Sequence, residues 1–65
     1  MATLGERLNM ARHMAGLALR DVAARAGVSA MAISKYERGL DVPGSAVLLR
    51  LAAALGVKLD YLFRP

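Results

Sequence analysis

The stretch from Leu19 to Tyr36, LRDVAARAGVSAMAISKY, limits what this chain can fold into more than any other part of it. It reads as two short helices joined by a tight turn at Gly27. Val22 and Ala26 give the first helix an apolar stripe, and Ala23 is small where a second helix crossing at roughly a right angle needs close backbone approach. Gly27 ends that helix because glycine takes the left-handed conformation at little cost. Val28 then turns into the core, Ser29 caps the next helix through its hydroxyl, and the new helix starts at Ala30.

At about 100° per residue, Met31, Ser34, Lys35 and Arg38 project to one side of this helix and Ile33, Tyr36 and Glu37 to the other. The second side packs and the first is free. A packed side that includes a carboxylate needs a cation within the fold, and Arg12 is the best candidate partner for Glu37.

Punctuation divides the rest of the chain into helices. Thr3 followed by Glu6 is a capping box, after which Leu4, Leu8, Ala11 and Ala15 share a stripe on a helix that Gly16 ends. The second helix runs from about Leu19 to Ala26, and Ala18 is a poor cap that costs it ~1 kcal/mol. The third runs from about Ala30 to Arg38 and stops at Gly39, and Pro43 stiffens the loop from Leu40 to Gly44. In the fourth, SAVLLRLAAAL, the residues Val47, Leu48, Leu51 and Leu55 form the central core stripe, and Gly56 terminates it. A last turn, LDYLF, packs Leu62 and Phe63 inward and leaves Leu59 or Tyr61 exposed.

The 65 residues make one domain, residues 1–65, with a core small enough that each large apolar side chain matters. The chain has no cysteine, so a disulfide framework and a thiolate metal site are both excluded, which fits a reducing compartment. The only histidine, His13, has no second ligand in reach and reads as a flank residue, so no metal or cofactor is expected. One histidine and scattered acids do not make a catalytic constellation, and no enzyme is expected. No apolar run approaches the ~18 residues of a membrane span, and the start MATLGERLNM lacks a signal-peptide core. A net charge of +4 favours polyanionic partners, although the position of the charges says more than their sum.

The small Ala23, the turn Gly27, Ile33 and the closing Tyr36-Glu37-Arg38-Gly39 resemble the lambda-repressor-like, or XRE-type, helix-turn-helix family. The similarity runs from Leu4-Gly5-Glu6-Arg7-Leu8 to Leu55-Gly56-Val57 and Tyr61-Leu62-Phe63. The resemblance implies an all-α five-helix bundle in which Arg12 and Glu37 form a buried ion pair. It further implies a cytoplasmic, nucleoid-associated transcriptional regulator of a prokaryote or phage, a repressor, that binds double-stranded DNA with its third helix in the major groove.

On that resemblance the base-facing set is Ser29, Ala30, Met31, Ser34 and Lys35, and the phosphate-facing set is Leu19, Arg20, Arg38, Gly44 and Ser45. The chain departs from the family at Leu19, where many relatives carry a glutamine whose amide contacts a phosphate. It departs again at Ala30 and Met31, where glutamine or arginine is common, so Lys35 is the only charged donor to a guanine. Specificity then rests on thymine-methyl contacts, one lysine, and DNA shape. A domain of this size covers about one half-site, so a homodimer is expected on DNA, with Leu59 and Tyr61 either pairing with their copies or finishing the core.

The segments Lys35-Tyr36-Glu37-Arg38-Gly39 and Tyr61-Leu62-Phe63-Arg64-Pro65 also resemble the amino-terminal domain of regulators fused to a zinc metallopeptidase module, whose HExxH motif these residues lack. The alternative function is a helix-turn-helix-derived protein-interaction or oligomerisation module, favoured by Leu19, Ala30 and Met31 and opposed by Arg20, Lys35 and Arg38.

Overall fold

The chain is represented by a computed structural model that describes residues 2–64, so Pro65 of the closing segment lies outside the described residues. Four α-helices follow one another: α1 (Leu4–Met14), α2 (Leu19–Ala26), α3 (Ala30–Glu37) and α4 (Ser45–Leu55). A five-residue 3-10 helix, Leu59–Phe63, closes the chain in place of the fifth α-helix that the resemblance implied. Its bonds run from Tyr61 N to Lys58 O and from Arg64 N to Tyr61 O, the i→i+3 pattern of a segment too short to nucleate an α-helix. No strand occurs among the described residues, so the class is all-α.

Side-chain caps set the helix starts. Thr3 Oγ1 accepts from the Glu6 N–H at 3.1 Å while Glu6 Oε1 accepts from the Thr3 N–H at 2.8 Å, which completes the box at the head of α1. At α2 the poor cap Ala18 is half repaired, since its N–H donates to Asp21 Oδ2 at 2.8 Å. Gly27, at φ +70° in the left-handed region, ends α2, and Ser29 Oγ accepts from the Ala32 N–H at 3.0 Å to open α3. Arg38 caps α3 rather than extending it, and Gly39 follows at φ +73°.

The core forms where all these elements meet, around Leu8, Val22, Ala26, Ile33, Leu51 and Leu62, each at most 3% exposed. Three expectations about the core need correction. Ala15 is exposed, because α1 ends at Met14 and the stripe closes at Ala11. Val47 and Leu48 are half-buried, not central: the first turn of α4 projects beside the exposed Gly44, Ser45 and Ala46, and Ala52 and Ala54 join Leu51 and Leu55 inside instead. Phe63 is 57% exposed, since the 3-10 helix advances about 120° per residue and carries it a third of a turn away from the buried Leu62.

Two arginines brace α2 against α4. Arg50 Nε donates to the Ala26 carbonyl at 2.8 Å, and Arg25 Nη1 donates to the Ala54 carbonyl at 3.2 Å. Each guanidinium thus satisfies an orphan carbonyl near the C-terminus of the other's helix, where a positive charge is also favoured by the helix dipole. On the opposite side, the Arg7 guanidinium lies 5.2 Å from the centre of the Tyr61 ring and holds the 3-10 helix against α1. Among the described residues no helix is long and apolar enough to cross a membrane.

Candidate nucleic-acid interface

The outer side of α3 is built by the turn that precedes it. Ile33 sits 2% exposed in the core and fixes the rotation of the helix about its axis. Met31, two residues earlier, is then 67% exposed, and Ala30, Lys35 and Arg38 are exposed with it. Ser34 is half-buried between them. Ser29 is exposed, but its oxygen is engaged by the Ala32 N–H, so its hydroxyl proton is what it can offer outward. Arg38 is drawn back along its own helix by a 3.3 Å bond from Nε to the Ser34 carbonyl.

The other predicted positions divide by burial. Arg20 at the head of α2 and Gly44 and Ser45 at the head of α4 are exposed. The α4 head carries no side-chain cap, which leaves its first backbone N–H groups to find partners outside the helix. Leu19 is half-buried and packs its side chain against the core, so it presents only its backbone at the first turn of α2.

Behind this surface, α1 grips the C-terminal end of α3. Arg12 Nε donates to Glu37 Oε2 at 2.7 Å and Arg12 Nη2 to Glu37 Oε1 at 3.0 Å, a two-point fork. The side chains are 12% and 8% exposed respectively. Arg12 Nη1 donates further to the Leu17 carbonyl at 3.0 Å, tying the α1–α2 connection into the same cluster. Asn9 Nδ2 donates to Glu37 Oε1 at 2.8 Å. Burial pushes the Glu37 carboxyl up, but the hydrogen bonds from Arg12 and Asn9 and the Arg12 charge outweigh it and hold the group below its ordinary value. Arg12 is shifted up, chiefly by its hydrogen bonds to Glu37.

Sequence reasoning missed Asn9, Arg25 and Arg50. Asn9 carried a usable signal, since it stands three residues before Arg12 and therefore shares its side of α1. The two arginines carried none, because their partners are backbone carbonyls, which no residue type announces.

Residues 3–62 match the family described as helix-turn-helix domain. The chain belongs to the lambda-repressor-like helix-turn-helix family. A relative from Rhodospirillum rubrum, an uncharacterized transcriptional regulator in the ATPase CF(0) region, is 39% identical over 95% of this chain. The helix-turn-helix domain spans 57% of that relative's length. Among solved structures, the P22 c2 repressor in complex with a synthetic operator is similar with a TM-score of 0.90 at 34% identity, over 95% of this chain and 94% of that one. SinR of Bacillus subtilis, a master regulator for biofilm formation solved in complex with DNA, matches with a TM-score of 0.88 at 30% identity, over 95% of this chain and all of that one. The restriction-modification controller C.AhdI of Aeromonas hydrophila matches at 0.89 and 30% identity, over 92% of this chain and 91% of that one.

Proposed function

We propose that this helix-turn-helix domain binds double-stranded DNA sequence-specifically, with α3 in the major groove, as part of a prokaryotic or phage transcriptional repressor. The observation that carries the reading is the outer side of α3, where Met31, Lys35 and Arg38 stand in solvent on a helix locked from behind by Ile33 and the Glu37 ion pair. Similarity in shape and sequence to the P22 c2 repressor with its operator and to SinR with DNA supports it.

The side chains divide by chemistry. Met31 and Ala30 offer apolar surface to thymine methyl groups, Lys35 offers an ammonium to the N7 and O6 acceptors of guanine, and Ser29 and Ser34 offer hydroxyls to either base type. Arg20 and Arg38 supply charge to phosphates, while Leu19, Gly44 and Ser45 contribute the backbone N–H groups of the α2 and α4 heads. With one charged base reader, discrimination leans on DNA deformability and on a second protomer. For the homodimer contact, Leu59 is available at 37% exposure, whereas Tyr61 is half-buried beneath Arg7 and contributes its edge. A cytoplasmic, nucleoid-associated location follows from the DNA partner.

Selection from a random duplex library at near-physiological salt tests the reading. An enriched palindrome supports a dimeric sequence-specific regulator, and its half-site identifies the bases met by Met31 and Lys35. Retention without enrichment reduces the role to backbone binding, and no retention transfers the function to a protein-interaction module.

A further inference from the structure

Gly5 lies against the backbone at the end of α3. A Cβ at this position would stand 2.5 Å from the Glu37 carbonyl oxygen and 2.6 Å from that of Tyr36. These are backbone atoms, which cannot swing aside as the tip of a side chain can. Asn9 follows one helical turn later and bonds the Glu37 carboxylate at 2.8 Å, and Arg12 follows three residues after that with its fork at 2.7 and 3.0 Å. Spacings of four and three place Gly5, Asn9 and Arg12 on one stripe of α1. All three bear on Tyr36 and Glu37, the last two residues of α3.

We propose that Gly5 and Asn9 are positioning residues for base readout: the stripe Gly5, Asn9, Arg12 sets the tilt of α3 and thereby which base edges Lys35 can reach. The proposal rests on the DNA-binding reading. Its geometry is that of a lever. A methyl at Gly5 falls about 0.9 Å short of the 3.4 Å at which ordinary contact begins. Of the two elements α3 yields more at this point, carrying its pair with Arg12 along, because it runs into the exposed Gly39, Leu40 and Asp41, whereas α1 is seated by Leu8 and Ala11, both buried. Over a helix of eight residues, ~12 Å long, a shift of that size tilts the axis by about 4°. Lys35, near the moving end, is then displaced by more than the ~0.5 Å that a productive polar constellation tolerates.

The test compares Gly5→Ala, Asn9→Ala and Leu62→Val in the full chain. Leu62 is a core residue of the 3-10 helix, an element that packs on α1 and α4, so Leu62→Val lowers stability from a site outside the stripe. Residual dipolar couplings of backbone N–H groups measure the orientation of α3 relative to α4 without DNA. Binding to the selected duplex and to random duplex, at a temperature where every variant is folded, gives the discrimination ratio. The expected result is a tilted α3 and a ratio reduced about fivefold or more in Gly5→Ala, the loss of one base contact. Asn9→Ala shifts both readouts in the same direction by less, and Leu62→Val moves neither although it melts earlier. An α3 orientation and ratio unchanged in Gly5→Ala would overturn the proposal, and if that variant does not fold, Asn9→Ala decides by the same two readouts. If the wild type itself fails to discriminate between duplexes, the DNA-binding reading is what fails. The couplings then judge the stripe alone: an unmoved α3 overturns it and a tilted one supports it.

Discussion

Replacing Glu37 by glutamine keeps the shape of the side chain and removes its charge, which makes it the most direct probe of how α3 is held. In the wild type the carboxylate accepts from Arg12 Nε, Arg12 Nη2 and Asn9 Nδ2 at 2.7 to 3.0 Å. In Glu37→Gln the amide nitrogen must face one of these donors, and Arg12 becomes a largely buried cation without a counter-ion, retaining its bond to the Leu17 carbonyl. Orphaning one member of a buried pair costs about 3 kcal/mol or more. For a domain of this size each kcal/mol lowers Tm by roughly 4–8 °C, so the variant melts ~12–24 °C below the wild type. Thermal unfolding followed by far-UV circular dichroism at pH 7 measures it. The double variant Arg12→Met/Glu37→Leu recovers much of the loss, because an apolar pair of similar volume avoids the desolvation penalty. The pH dependence has a definite sign. A carboxyl held below its ordinary 4.5 stabilises the fold fully above that value and loses this contribution as pH falls through its lower folded value. Wild-type stability therefore drops more steeply below pH 4.5 than that of Glu37→Gln, in which only groups such as the capping Glu6, also shifted down by its bonds with Thr3, still titrate. A Tm within ~3 °C of the wild type and parallel acid profiles would refute the claim that this pair secures α3.

Other substitutions separate the remaining forces. Lys35→Ala weakens the selected duplex more than random DNA, whereas Arg38→Ala weakens both and makes the logarithmic salt slope shallower by about one unit, as read by fluorescence anisotropy across a salt series. Equal effects of the two would remove the division into base and phosphate contacts. Ala18→Ser supplies the missing half of the α2 cap opposite Asp21 and raises Tm by ~4–8 °C, equivalent to ~1 kcal/mol, in the same melting assay. Arg50→Met leaves the Ala26 carbonyl without its charged donor and lowers urea-unfolding stability by ~1–3 kcal/mol; a change within ~0.5 kcal/mol would mean that water replaces the bond.

The helix-turn-helix was legible because its punctuation is local. Gly27 and Ser29 act within a few bonds of themselves, so α2 ends at Ala26 and α3 begins at Ala30 as the residues indicate. The Arg12–Glu37 contact was legible for a different reason: a carboxylate on the packed side of a helix must find a cation, and few were placed to reach it. What failed was everything set by the edges of the core. Periodicity put Ala15, Val47 and Leu48 on inward stripes, but a stripe says nothing of where the packing stops along a helix. Phe63 went outward because five residues closed a 3-10 helix, whose angular step differs from that of an α-helix. The base contacts proposed for Ser29, Ala30, Met31, Ser34 and Lys35 involve partners outside the chain; what the chain itself fixes is that Ser29, Ala30, Met31 and Lys35 are exposed and Ser34 half-buried.

The exposure of Met31 also bears on the chemical ageing of the molecule. With no cysteine in the chain, thioethers are its softest oxidisable groups, and Met10, Met14 and Met31 are 45%, 82% and 67% exposed. Oxidation of Met10 or Met14 adds a polar sulfoxide to the outside of α1. The same reaction at Met31 turns an apolar surface on the outer side of α3 into a polar, chiral one, while the buried residues beneath it, Ile33 above all, keep the fold in place. Samples that remain helical yet lose the proposed DNA selectivity on storage should therefore be checked first for sulfoxide at this position, and the two methionine sulfoxide reductases, one for each epimer, would together restore them.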